Sequence, residues 1–250
     1  MHAVRFAAAL FLPLAFVVLK AADATLPSVD EIVQKNIAAR GGAAKIKAIQ
    51  TRKMIGITRI NQAIEAQVTV QAKRPNLYRM DINLPQASMV EAFDGTVAWS
   101  QSPLTGGVPQ KHDAATTRFT SDEADMDGPL LDYKAKGNKV ELLGVEDVAG
   151  SPAYHLKVTT KGGTLTNVWI DETSGREVKM MQTQHHDGQD QEVTTMFSDF
   201  KPEGGEVMPM TIEQQVGSTK MSTQFSSADS NQPIDDSVFR MPSATPAATQ

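Results

Sequence analysis

The stretch YHLKVTTKGGTLTNVWIDETSGREVKM, residues 154–180, changes character at every second position. Leu156 and Val158 fall on one side and His155 and Lys157 on the other. Lys161-Gly162-Gly163 reverses the chain, and Thr173-Ser174-Gly175 reverses it again. A strand sends successive side chains to opposite faces, so this segment is about two and a half strands with one apolar and one wet face. It holds no residue with evident catalytic chemistry.

Outward from it, strands are expected at 139–145, 153–160, 165–171, 177–184, 192–200, 208–216 and 221–226, linked by turns rich in Gly, Ser and Asp. Nearer the N-terminus Ile64, Ala66, Val68, Val70 and Ala72 alternate with polar residues, as do Tyr78, Met80, Ile82 and Leu84. Asp94-Gly95 joins 89–93 to 96–100 as a tight hairpin. Parallel pairing needs a crossover of roughly a dozen residues. These links are mostly shorter, so the strands pair antiparallel.

Helix is scarce. Ser28 with Glu31 three residues on is a capping box behind Pro27, and Val29, Ile32, Val33 and Ile37 share one helical face until Gly41-Gly42. A short helical piece at 43–49 follows, then a loop at 101–120, then a weak helix at 121–133 interrupted at Gly128-Pro129. About ten strands, roughly 4.8 Å apart and about 25 Å long, present a face of roughly 1,200 Å². The helical segments cover roughly 500 Å² of it. Either the sheet curls partly over itself around an apolar hollow, or it splits into two sheets that cover each other.

Arg5, the apolar run 7–19 and the small residues Ala22 and Ala24 read as a cleaved secretory signal over residues 1–24, since a membrane span needs roughly twenty apolar residues. The chain has no cysteine, so neither a lipid-modified N-terminal Cys nor a disulfide is available. Without residues 1–24 it carries 22 basic and 28 acidic side chains, a net charge of −6, with no block of like charge. That balance counts against nucleic acid and anionic membrane surfaces as partners. The domain is expected to run from 25 to 242, with a disordered tail at 243–250.

His185-His186-Asp187-Gly188 is the most tempting polar cluster, but adjacent His residues on a strand diverge, and a metal needs three or four converging ligands. Glu123, Asp125, Asp127 and Gly128 mimic half a calcium loop, yet Lys134 stands where its closing Glu belongs. Nucleophile elbow, phosphate loop and cysteine nucleophile are missing from the sequence. The expectation is no enzyme, no catalytic residue, no metal and no cofactor. Methionine is more telling. Met80, Met180, Met196, Met210 and Met221 fall on expected strands, and such flexible side chains suit either core filling or a surface that accepts varied apolar partners.

In order, PSVDEIVQKNIAARGG, FDGTVAWSQSP, GPLLDYKAKG, VELLGVEDVAGSPAYHLKVTTKGG, VWIDETSGREVKM, FSDFKPEGGEVMPMTIE and IDDSVFRMP resemble the periplasmic outer-membrane lipoprotein-sorting proteins, the LolA/LolB-like superfamily. The resemblance spans roughly 27–242. It implies a mainly β fold with α: one curved antiparallel sheet, an unclosed half-barrel, with helices covering its concave face. It also implies a periplasmic carrier that holds a lipid or the acyl chains of a lipoprotein in the hollow and moves it toward the outer membrane. Some members of that superfamily are regulators instead, so a protein-interaction or envelope-stress module, with envelope membrane proteins as partners, is the alternative. In the carrier an arginine ties the lid to the sheet, and the sequence assigns it no position here.

The apolar cavity is expected to be lined by Val68, Val70, Met80, Ile82, Leu84, Phe93, Trp99, Leu130, Leu131, Leu156, Val158 and Met180. Leu130, Leu131 and Tyr133 are expected on a flexible lid at its mouth, and Trp169, in step with Asn167 and Asp171, on the outer face. The protein is expected to be a monomer.

Overall fold

The computed structural model describes residues 25–243, except 187 and 188. The expected signal segment, most of the expected tail and the side chains of the His185–Gly188 cluster lie outside the described residues.

Thirteen strands are described: β1 (Thr51–Ile60), β2 (Ile64–Lys73), β3 (Leu77–Leu84), β4 (Ala87–Phe93), β5 (Ala98–Gln101), β6 (Gln110–Lys111), β7 (Lys139–Val148), β8 (Ser151–Thr159), β9 (Leu165–Asp171), β10 (Glu177–His186), β11 (Gln189–Glu203), β12 (Glu206–Val216) and β13 (Thr219–Ser230). They form one sheet in the order β6-β5-β4-β3-β2-β1-β13-β12-β11-β10-β9-β8-β7. Every neighbour pairing is antiparallel. The two halves of the chain meet at a single seam, β1 against β13, where the register shifts between Ile55 and Gly56. β6 and β7 are the free edges, so the sheet curls into a barrel that does not close.

The helices are α1 (Val29–Ala39), α2 (Ala43–Ala48), α3 (Ala114–Glu123) and α4 (Tyr133–Lys136). The Ser28–Glu31 capping box starts α1 as the sequence requires. Ile32 and Val33 then bury against Tyr154, Leu156, Val158, Val168 and Ile170 of β8 and β9. Asn36 is buried too, and its Nδ2 donates to the Gly175 carbonyl at 3.0 Å. The concave face at the β7–β9 end is thereby filled by α1. The rest of that face is left for other cover.

Two expectations change here. The segment 101–120 is not all loop, because Asp113 caps Thr116 N at 2.8 Å and starts α3 inside it. Its Thr-rich sequence hides the helix, since β-branched residues lower helix propensity. The segment 121–133, expected as an interrupted helix, is the end of α3 followed by turns up to α4.

Part of the convex face is covered as well. The chain after β13 runs back across β2–β5, with Lys73 Nζ donating to the Ile234 carbonyl and Arg79 Nη1 to the Val238 carbonyl. Trp169 lies on the outer face as expected, but it is buried there: His155 stacks on its ring at 4.2 Å and its Nε1 donates to Glu146 at 2.9 Å.

Candidate functional site

Register decides which side chains share the hollow. Met54 opposes Val70 across β1–β2, Val70 opposes Met80 across β2–β3, and Gln214 opposes Met221 across β12–β13. With Val68, Met208, Ile212 and Phe225 they wall a cavity of about 840 Å³ inside the half of the sheet that α1 does not fill. That is the size of a small-molecule site. Met54, Val68, Val70, Met80, Met208, Ile212 and Phe225, with Met210, Ala228 and Ile82, form one apolar cluster.

α3 crosses the open side of the sheet, touching β4 and β5 on one side and β10 on the other. Ala115, Thr116, Phe119, Thr120 and Glu123 face the cavity from it. Its ties are light: Ala98 N donates to Thr117 Oγ1 at 3.4 Å, and Thr160 Oγ1 donates to Asp122 Oδ2 at 2.8 Å. Below it, Glu91 of β4 pairs with His112 Nε2 at 3.2 Å, and both line the cavity with Tyr78. Glu123 reaches solvent through the cavity, yet the surrounding protein desolvates it. That burial, with the like charges of Glu91 and Asp122, pushes its pKa up to about 7. Burial likewise raises the Tyr78 phenol, and the charges of Glu123 and Glu91 add to the effect.

The far end is held by charge. Glu206, 4% exposed, accepts from Arg40 Nε at 2.6 Å and from Arg52 Nη2 at 2.6 Å. Arg74 Nε donates to the Ile49 carbonyl at 2.6 Å, and its Nη2 reaches Asp127 Oδ1 at 2.5 Å and the Ile46 carbonyl at 3.0 Å. The Arg74 guanidinium holds the Asp127 carboxyl below the usual range. Arg74 thus ties the sheet to α2 and to the segment after α3, a role for which the sequence named no residue.

Val68, Val70 and Met80 line the cavity, Ile82 packs against its wall, and Leu84 continues their face toward the end of β3. Phe93 packs with Ala98, Tyr78 and Ala124 at the end of α3. Leu156 and Val158 lie under α1 rather than against the cavity. Met180 opposes Val168 and so shares that concave face.

Trp99, Leu130 and Leu131 are also placed away from the cavity. Trp99 clusters with Val90 and Ala92 on the convex face and donates from Nε1 to the Phe239 carbonyl at 2.8 Å. Leu130 and Leu131 are 2% and 1% exposed, and so are core rather than lid. Met210 packs behind the cavity wall and Met196 against Trp169 on the outside, whereas Met54 and Met208 line the cavity. β1 hides Met54 from sequence reading because Gly56 and Thr58 break its apolar run. Among the described residues no three His, Asp or Glu side chains stand close enough to hold a metal ion.

Residues 53–244 match the family described as a domain of unknown function, DUF4412. The chain belongs to the DUF4412 family. No curated protein matches it. The fold of this DUF4412 chain is LolA-like. A LolA superfamily protein of Nitrosomonas europaea superposes with a TM-score of 0.56 at 14% identity, over 86% of this chain and 98% of the other. A putative outer-membrane lipoprotein-sorting domain of Vibrio parahaemolyticus gives 0.56 at 13% identity, over 84% and 94%. A DUF1329 family protein of Desulfovibrio piger gives 0.58 at 11% identity, over 85% and 97%.

Proposed function

We propose that this DUF4412 protein is a periplasmic carrier that binds a lipid, or the acyl chains of a lipoprotein, inside the half-barrel and moves it toward the outer membrane. The observation that carries this reading is the 840 Å³ cavity with a wall of Met, Val, Ile and Phe on the inner face of the sheet. At roughly 30 Å³ per methylene-sized unit, about the volume of one water, such a space takes two dozen or so methylenes. Burying ten of them is worth about 8 kcal/mol, which corresponds to about micromolar affinity before ordering costs. In this reading the substrate is held rather than transformed.

The N-terminal apolar segment is the export signal in this reading, and the mature protein acts as a monomer. A second reading, a docking module for envelope proteins, has Leu143 and Val145 in its favour, both exposed on edge strand β7. Titration of purified protein with a fluorescent fatty acid separates the two. Saturable binding displaced by unlabelled lipid supports the carrier, and no binding leaves the docking module.

A further inference from the structure

The cavity opens toward one end of the sheet. Lined by Gly162, Gly163 and Thr164 of the β8–β9 turn and by Gln184, Gln191 and Val216, it reaches the end at which the β1–β2, β3–β4, β8–β9 and β12–β13 turns all lie. The loop after β5 runs to the same end, beside β4. Large apolar side chains left exposed among the described residues are few, and Ile64, Leu104, Val108 and Leu165 belong to this end. Their exposures are 50%, 95%, 50% and 45%. Single exposed apolar residues are ordinary on protein surfaces. These are grouped by the fold: the loop of Leu104 and Val108 adjoins edge strand β6, Ile64 opens β2 near the middle of the sheet, and Leu165 opens β9 near the other edge. Three points spread along the arc define a plane across the mouth.

The Leu104 loop is built to present its side chain. Gln101 Nε2 donates to the Gly107 carbonyl at 2.8 Å, Thr105 Oγ1 to the Ser102 carbonyl at 2.9 Å, and Gly107 N to the Ser102 carbonyl at 3.0 Å. Charge at this end also departs from the acidic whole. Near these turns and the β10–β11 connection at the same end, the exposed charged side chains, among the described residues, are Arg59, Lys111, Lys161 and Lys220 against Glu65 and Glu192. Arg59 and Glu65 pair at 2.8 Å, which leaves three lysines against Glu192.

We propose that this rim docks on a lipid bilayer, with Ile64, Leu104, Val108 and Leu165 entering the headgroup region and the lysines meeting anionic headgroups. Seated so, the cavity mouth faces the acyl region, and a chain passes between bilayer and cavity without crossing water. Apolar anchors with a basic surround suit an interfacial site of this kind. The net negative charge of the whole chain counts against an anionic surface, but screening confines surface electrostatics to roughly 8 Å in physiological salt, so the charges of the rim itself decide. The inference builds on the carrier reading but is tested apart from it.

The test is co-sedimentation of the mature protein with vesicles of phosphatidylethanolamine and phosphatidylglycerol in equal parts, and with vesicles of phosphatidylcholine alone. Wild type should bind the anionic vesicles, and added salt should weaken that binding. Leu104→Ser with Val108→Ser should weaken it about tenfold or more, the worth of one or two buried aliphatic side chains. Lys161→Glu with Lys220→Glu should lower binding to the anionic vesicles alone. Because these side chains are exposed, the variants should keep the wild-type melting temperature and still bind a fluorescent fatty acid in solution. Val70→Glu should do the reverse, losing the probe while keeping the vesicles. Wild type that sediments with neither vesicle, or a Leu104/Val108 variant that sediments as well as wild type, overturns the docking rim and leaves the four side chains to a protein partner. Loss of probe binding by wild type counts against the carrier reading alone.

Discussion

Val70 and Met80 stand opposite each other on the cavity wall, and a charge placed on either would sit where an acyl chain is to lie. An unpaired buried ion costs several kcal/mol. Val70→Glu or Met80→Glu should therefore weaken binding of a fluorescent fatty acid by about a hundredfold or more. Gln67→Glu, on the exposed opposite face, should leave it unchanged, as titration of the three folded variants would establish. Glu123 and the half-buried Glu177 make a second residue-scale prediction. Both have pKa values pushed up to about 7 by desolvation, from an ordinary 4.5. The folded protein therefore holds protons that the unfolded chain releases, and stability falls as pH rises from about 4.5 to about 7. Melting temperature should decline across that range, and Glu123→Gln should flatten part of the decline. A wild-type melting curve that rises from pH 5 to pH 7 would contradict the assignment. At this scale alternation is a reliable guide to which residues share a face: Val68, Val70, Met80 and Ile82 were legible as a set. It does not say which face is inside. Ala98 and Trp99 are both buried, on opposite faces, because the C-terminal segment covers one of them.

Between elements, the seam of β1 with β13 is the one place where the two halves of the sheet hydrogen-bond to each other. At its register shift Gly56 lies so close to the Gln224 carbonyl oxygen and the Phe225 Cα that a β-carbon would collide with backbone on both. Gly56→Ala should cost about 2 kcal/mol by overpacking, read as a lower denaturant midpoint. Glu206 ties Arg40, just past α1, to Arg52 of β1. Removing a buried partner strands the charges it satisfied, so Glu206→Ala should cost about 3 kcal/mol and lower the melting temperature by roughly 10 °C. α3 should behave in the opposite way. With Thr120 its one fully buried side chain and few cross-links, its amides should exchange faster than those of β2 and β12. The strands other than β1 and β6, and α1, were legible because their periodicity and caps are local signals. α3 was not, since four of its ten residues are Thr or Ser and tertiary contacts, with β4, β5 and β10 among them, hold it in place. Gly128-Pro129 drew attention to the next segment instead, where Leu130 and Leu131 are core.

Over the whole molecule, the shortage of helix relative to sheet sets the architecture. α1 fills the hollow at the β7–β9 end, α3 crosses from β4 and β5 to β10, and the remaining concave face encloses the cavity. The sequence carried this mismatch of areas but left open a curled sheet or a split one, because curvature and closure depend on β1 pairing with β13 across most of the chain's length. The Arg74 tie was equally hidden, since it joins residues 46, 49, 74 and 127. The central claim, that this hollow carries acyl chains, is tested most directly by native mass spectrometry of the protein purified without detergent. The account predicts a population heavier than the bare chain by the mass of one bound lipid, lost on organic extraction, restored by added phospholipid and missing from Val70→Glu. Wild type that flies only at the bare mass, before and after incubation with phospholipid, would contradict it.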